Sequence, residues 1–224
     1  MKYFLFCVCF VFSCGASEEV YKVAHIQGQQ PVLDGRRDEK FWQAVQPVTG
    51  FVNPWNREVE PATALSLAYS ADGLYFHFDV RDNEVILAND FRKERDIEKG
   101  DRVELFFSKD KNMGAYYCFE VDAAGRVLSY AARHYRKMDY DWEPPVGFRV
   151  AARRKEGGYA VEGIVPVDFL ENLGTAGVLY MGAYRAEFSR RDSVVEENWL
   201  TWVNPATTKP DFHVPSSLRK VSLK

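Results

Sequence analysis

Thr63-Ala64-Leu65-Ser66-Leu67-Ala68-Tyr69-Ser70-Ala71-Asp72-Gly73-Leu74-Tyr75-Phe76-His77-Phe78-Asp79-Val80-Arg81 has a period of two. Leu65, Leu67 and Tyr69 fall on one side of an extended chain, and Ala64, Ser66 and Ala68 on the other. Ser70-Ala71-Asp72-Gly73 then supplies turn chemistry. On the return, Leu74, Phe76, Phe78 and Val80 share one face, while Tyr75, His77, Asp79 and Arg81 share the other. The pattern predicts a β-hairpin with one buried face.

The same alternation continues outward along the chain. Val103, Leu105 and Phe107 alternate with Arg102, Glu104 and Phe106, and Tyr117, Phe119 and Val121 with Cys118, Glu120 and Asp122. Ala123-Ala124-Gly125 turns the chain into a strand over 126–136. Strands over 148–154 and 159–165 flank Lys155-Glu156-Gly157-Gly158, and 180–188 and 199–203 complete the set. Helical signals are short: 38–45, opened by Asp38 as N-cap, and 167–173 after Pro166. Nine or more short strands at this spacing predict an all-β fold. Two antiparallel sheets pack as a jelly-roll or immunoglobulin-like sandwich with one or two short helices. No repeat or linker divides 18–224, so one domain is expected.

Composition narrows the function. Of 224 residues, 46% are apolar and 27% charged, which supports a packed core. A net charge of −3 lacks the positive field that nucleic-acid binding needs. Aromatic residues reach 15%, suiting both strands and surfaces that stack flat ligands.

Residues 1–17 read as a bacterial export signal: Lys2, an apolar run from Tyr3 to Phe12, then the small residues Ser13, Gly15, Ala16 and Ser17. Two endings fit. Cleavage after Ala16 would release the protein. Alternatively, Val11-Phe12-Ser13-Cys14 resembles a lipoprotein box, which would make Cys14 the lipidated first residue. Either places the protein outside the cytoplasm, as a periplasmic, outer-membrane-anchored or extracellular protein that meets a membrane only through the lipid. Cys7 and Cys9 leave with the leader, and Cys118, among Tyr116, Tyr117 and Phe119, reads as a small buried side chain.

Catalytic signatures are missing. The sequence has no GxSxG elbow, no GxGxxG or GxxxxGK[ST] phosphate loop and no HExxH. His25, His77, His134 and His213 are scattered. Asp139, Asp141 and Glu143 are spaced like calcium donors, so a structural calcium is a candidate, although Pro144 and Pro145 stand where a tight loop needs glycine. No other cofactor is indicated, and the chain reads as a non-enzyme.

Seven motifs in order resemble family-9-like carbohydrate-binding modules of the DOMON-like β-sandwich superfamily. Leu33-Asp34-Gly35 with Trp42 is similar to their "IDG…W", and Asp72-Gly73-Leu74-Tyr75 to their central hairpin. Asp101-Arg102-Val103-Glu104-Leu105-Phe106 resembles "D.VE.F", and 117–122 resembles "Y.FEVN". Gly158-Tyr159-Ala160-Val161-Glu162 with Pro166, Tyr184-Arg185, and Phe212-His213 with Pro215 complete the series from Pro31 to Val221.

The resemblance implies an exported sandwich that binds poly- or oligosaccharide beside polysaccharide-degrading enzymes, without catalysis. It implies a sugar held between two tryptophans and the Glu of "D.VE", here Glu104. The second tryptophan position holds Phe212, the first falls at Glu98, and an arginine on the next strand is replaced by Glu120.

Strand parity adds His77, Asp79, Asp122, Arg185 and Glu187 to the outward faces, either as a sugar-reading polar floor or as a salt-bridge network. Trp55 and Trp142, in loops, are stacking candidates. Trp42 reads as a core plug. Trp199 and Trp202, three apart in a strand, face opposite sides, so one of them is accessible; Trp202 is carried as a ligand candidate. One stacked ring covering ~100 Å² contributes roughly 2.5 kcal/mol. Immobilisation offsets much of this, so affinities between about micromolar and millimolar are expected. Two rival readings are a b-type haem sandwich, with axial ligands from His134, Met138, Met113 or Met181, and a docking module with a degenerate sugar site.

Overall fold

The computed structural model describes residues 19–28, 30–58 and 62–223. The stretch 1–17 read as an export signal, with Cys14, lies outside the described residues. The quoted stretch forms the hairpin β3 (Thr63–Ser70) and β4 (Gly73–Arg81), with Ser70 opposite Gly73 across a two-residue turn. Gly73 has φ +143°, and a Cβ there would lie 2.1 Å from the Val165 carbonyl oxygen, so only glycine fits.

Around this hairpin stands a five-stranded sheet in the order β2 (Ala24–His25), β3, β4, β10 (Gly158–Pro166), β9 (Arg149–Lys155). The second sheet has eight strands. Its path runs β1 (Tyr21–Lys22), β13 (Arg219–Ser222), β11 (Val178–Arg191), β5 (Arg102–Ser108), β6 (Tyr116–Asp122), β7 (Val127–Arg133), β8 (Lys137–Asp139). Strand β12 (Val194–Thr201) pairs with β11 off this path. The two sheets make a sandwich. It is antiparallel except where the first two short strands join: β1 runs parallel to β13, and β2 to β3.

Alternation places the core where the sequence put it. Leu65, Leu67, Leu74, Phe76, Phe78 and Val80 face Val103, Leu105, Phe107, Phe119 and Val121 between the sheets. The outer faces are covered as well. A short helix, α1 (Lys40–Gln43), sets Phe41 and Trp42 on Ala68, Tyr75 and Ile164 of the small sheet. On the large sheet, Ile97, Phe212 and Leu218 cover Phe106, Tyr116, Cys118 and Tyr130. On these strands parity assigns the face correctly but says nothing of what lies on top of it.

Three elements differ from expectation. Helix α1 spans four residues instead of 38–45, and its N-cap residue is Glu39, with no side-chain cap bond. The Arg37 guanidinium bonds the carbonyls of Trp42, at 3.0 Å, and Val45, satisfying groups that a longer helix would have used. The strand expected over 126–136 stops at Arg133, and a turn with Arg136 at φ +52° reverses the chain into β8. The last hairpin is longer than expected because Asp192 and Ser193, at φ +49° and +68°, form a tight turn without glycine. Helix α2 (Val167–Leu173) follows Pro166 as expected.

Glu162 joins the N-terminal segment to the small sheet. Its Oε2 accepts the Asp34 and Gly35 amides at 3.1 Å each, and Oε1 accepts Trp42 Nε1 at 2.8 Å. The opening motif and the β10 motif are thus two halves of one hydrogen-bonded assembly. Glu162→Ala strands three N–H donors and is expected to cost about 3 kcal/mol in urea unfolding. The exposed Glu156→Ala should change stability by less than about 0.5 kcal/mol. Equal effects would contradict this role.

Candidate functional site

Strand register gathers charge on the outer face of the eight-stranded sheet. Across β5 and β6, Arg102 pairs with Asp122, Glu104 with Glu120, and Phe106 with Cys118. Tyr184 of β11 lies opposite Glu104 on the other side, and Trp199 of β12 opposite Ala186. A hollow of about 400 Å³ opens over this floor.

Arg102 organises the floor. Its Nε donates to Glu120 Oε2 at 2.6 Å, and its Nη2 lies 3.0 Å from Glu104 Oε1. Nη1 donates to the carbonyls of Glu98 and Gly100 at 3.2 and 3.3 Å. Tyr130 Oη donates to the remaining Glu120 oxygen at 2.9 Å. Burial and the neighbouring Glu120 carboxylate lift the Glu104 carboxyl above the usual range, against the pull of Arg102.

Aromatic walls rise from this floor. Phe212 stacks on Tyr184 with centroids 4.1 Å apart, and Trp199 meets its edge at 5.8 Å. Across the hollow, Tyr140 packs against Tyr130 at 5.1 Å, with the Arg95 guanidinium 4.3 Å over its ring. At the rim, Arg95 pairs with Glu98 at 3.1 Å and Arg136 with Asp211 at 2.8 Å. His213 Nδ1 lies 2.9 Å from Tyr116 Oη. Burial and the Arg136 charge push its pKa down to about 4, against Asp211. A flat apolar wall beside fixed donors and acceptors can hold the pyranose faces and hydroxyls of a sugar.

The predicted site residues divide. Glu104 and Phe212 line the hollow together, as do Glu98 and Glu120, the positions reached through the family resemblance. Trp55 stands behind Phe212 at 6.0 Å, its Nε1 donating to the Thr207 carbonyl at 3.0 Å. The others are elsewhere.

Trp142 packs against Tyr117, Phe119 and Phe169 at the end of the inter-sheet core. Trp202 lies past the end of β12 and turns into that core against Tyr21 at 5.0 Å, so of the two strand tryptophans it is Trp199 that reaches the hollow. Arg185 shares the inward face with Val103, its β5 partner, so the outward assignment was wrong; it reaches the other sheet and pairs with Asp82 at 3.0 Å. Asp122 is buried as an acceptor for the β6–β7 turn, from the Ala124 amide at 2.9 Å and Arg126 Nε at 2.6 Å. His77 lies on the opposite sheet beneath Trp42, at 5.9 Å.

Asp139, Asp141 and Glu143 gather no metal cage: among the described residues no three His, Cys, Asp or Glu side chains are grouped to hold an ion. Asp139 instead accepts the Asp141 amide at 3.2 Å. Of the haem-ligand candidates, Met181 is buried between the sheets and Met113 beneath the outer cover, on opposite faces of one sheet. His134 is exposed and Met138 half-buried. Reasoning from parity missed Tyr130, although it shares a face with Glu120; Tyr140, Arg136 and Asp211 come from turns that carry no periodic signal.

A sequence model of carbohydrate family 9 binding domain-like proteins matches residues 33–224. The chain belongs to this family. Among solved structures, a Bacteroides uniformis protein assigned to carbohydrate binding is similar at a TM-score of 0.66. It is 17% identical, over 92% of this chain and 99% of that one. A family 9 carbohydrate-binding module from Caldicellulosiruptor kristjanssonii in complex with cellotriose has a TM-score of 0.62 and 15% identity, over 91% and 93%. A family 9 module of the same organism in complex with glucose gives 0.60 and 14%, over 91% and 95%. At these identities the likeness is one of fold. No curated protein matches the chain.

The depressed His213 pKa has a definite sign. A base whose folded pKa lies below its unfolded value contributes stability above about pH 6.5 and loses it as pH falls through about 4. Unfolding free energy is expected to fall over that window more in the native protein than in His213→Gln. Superimposable pH profiles, or an NMR titration of His213 near 6.5, would contradict the buried placement.

Proposed function

We propose that this family 9-like domain is a non-catalytic carbohydrate-binding protein that takes a poly- or oligosaccharide into the hollow over Arg102. The observation that carries this reading is the floor itself. Glu104, Glu120 and Arg102 meet at 2.6–3.0 Å beneath the rings of Trp199, Phe212 and Tyr140, in an open hollow large enough for a sugar ring. The same geometry supports the non-catalytic reading. Glycoside hydrolysis uses two carboxylates flanking the scissile bond. Glu104 and Glu120 instead sit side by side on neighbouring strands, both turned to one guanidinium.

The apolar run and small residues of 1–17 support export, with Cys14 as the lipid anchor point or Ala16 as the cleavage site. Residues 18–224 then act as one domain outside the cytoplasm, holding glycan for polysaccharide-degrading enzymes. Family membership supports such enzymes as partners.

A glycan array followed by titration calorimetry tests the reading; no retention of any glycan by the folded protein would end it. Tyr140 is exposed at the mouth of the hollow, so Tyr140→Ala is expected to weaken binding about tenfold, with a melting shift under about 2 °C. Trp142→Ala should do the reverse, losing more than about 5 °C with affinity unchanged. The opposite pattern would return ligand contact to the Trp142 loop.

A further inference from the structure

Charges lining the hollow do not balance. Glu98, Glu104, Glu120 and Asp211 face Arg95, Arg102 and Arg136. Each guanidinium is engaged: Arg95 with Glu98 at 3.1 Å, Arg136 with Asp211 at 2.8 Å, and Arg102 with Glu120 at 2.6 Å. Glu120 is satisfied on both oxygens, by Arg102 and by Tyr130. His213, neutral at pH 7, adds no cation. The shortfall of cations falls on Glu104: with burial and Glu120 lifting its carboxyl above the usual range, it holds its proton until a cation arrives beside it, and then ionises. Its Oε1 lies 3.0 Å from Arg102 Nη2 yet accepts no hydrogen bond, and the residue is only 3% exposed.

A buried carboxylate without its own donor favours a charged donor over a neutral one, because the surrounding low dielectric magnifies the difference. An ammonium group brings three N–H donors and one positive charge, and the nearby rings of Tyr130 and Trp199 suit a cation as well. A hydroxyl brings one donor and no charge. An anionic sugar adds repulsion, with no free guanidinium in the hollow to receive it.

We infer that the hollow selects a sugar bearing a free basic amine, whose ammonium meets Glu104, over the same sugar acetylated or carrying a carboxylate. The inference rests on the reading of the hollow as a sugar site. Had Arg102 been opposed by Glu104 alone, the floor would be neutral; Glu120 on the neighbouring strand makes it acidic.

Titration calorimetry with four β-linked trisaccharides of one backbone provides the test: glucosamine, N-acetylglucosamine, glucose and the C6-oxidised uronate. A chelator in the buffer prevents a metal ion from bridging Glu104 to hydroxyls, and neutral pH keeps part of the amine charged without driving the proton further onto Glu104. The glucosamine trimer is expected to bind at least about tenfold tighter than the acetylated and glucose trimers, since a charge-assisted bond is worth that much, and the uronate not at all. Glu104→Gln should collapse the preference to within about twofold. Glu120→Gln, which returns Arg102 to Glu104, should collapse it through a different contact, so one misfolded variant leaves the test intact. Equal binding of neutral and amine trimers, or retention of the uronate, overturns the inference while leaving a sugar site. Failure of the amine trimer overturns it whatever else binds. Silence of these trimers and of the whole array removes the sugar reading as well.

Discussion

The guanidinium of Arg102 is the constraint on which the outer face of the large sheet depends. It is buried beside two carboxylates, with Nε 2.6 Å from Glu120 and Nη2 3.0 Å from Glu104, while Nη1 holds the carbonyls of Glu98 and Gly100. Two acidic side chains directly opposite each other on adjacent strands repel. Here the repulsion is offset by a planar fork that serves both. The same fork anchors the chain segment carrying Glu98 and Arg95, so the electrostatic floor and one rim of the hollow are fixed by one side chain. Removing it would leave two buried carboxylates without a counter-charge, a loss of about 3–5 kcal/mol.

The two outer faces solve the same problem differently. On the small sheet Glu162 is buried too, but its partners are N–H donors from Asp34, Gly35 and Trp42, and the helix closes over it. That face is sealed. On the large sheet the cover from Phe212 and Leu218 stops short, leaving the hollow with Trp199 and Tyr140 at its sides. A sealed carboxylate locks the fold, whereas a carboxylate at the bottom of an opening can be answered by something from outside.

The motif Asp101-Arg102-Val103-Glu104 shows what a sequence carries and what it withholds. Val103 faces the core, and its inward parity was legible. Glu104 faces outward, also legible, and it was singled out as a site candidate through family resemblance. Asp101 turned out to be a strut, accepting the amides of Ile86 at 2.5 Å and Phe188 at 2.9 Å. Arg102 gave no signal apart from its alternation. The hairpin from Thr63 to Arg81 was readable because its period and turn residues agree. The β11–β12 turn was not, because Asp192 and Ser193 adopt positive φ without glycine. Arg185 was misassigned because the parity of β11 was taken one residue out: Tyr184, opposite Glu104, faces outward, and an ion pair with Asp82 lets Arg185 lie inward at the end of the sandwich. The loop tryptophans were misjudged for a related reason: polar neighbours in sequence do not report what lies above a loop in space.

A crystal structure with a bound oligosaccharide, chosen from the glycans the folded protein retains, tests the central claim most directly. The account predicts a sugar ring lying over Arg102, with hydroxyl or amine groups within hydrogen-bond distance of Glu104 and one face against Trp199 or Tyr140. A saccharide seated over Trp142 at the end of the sandwich or along the exposed β9 edge, with the hollow occupied only by water, would contradict it.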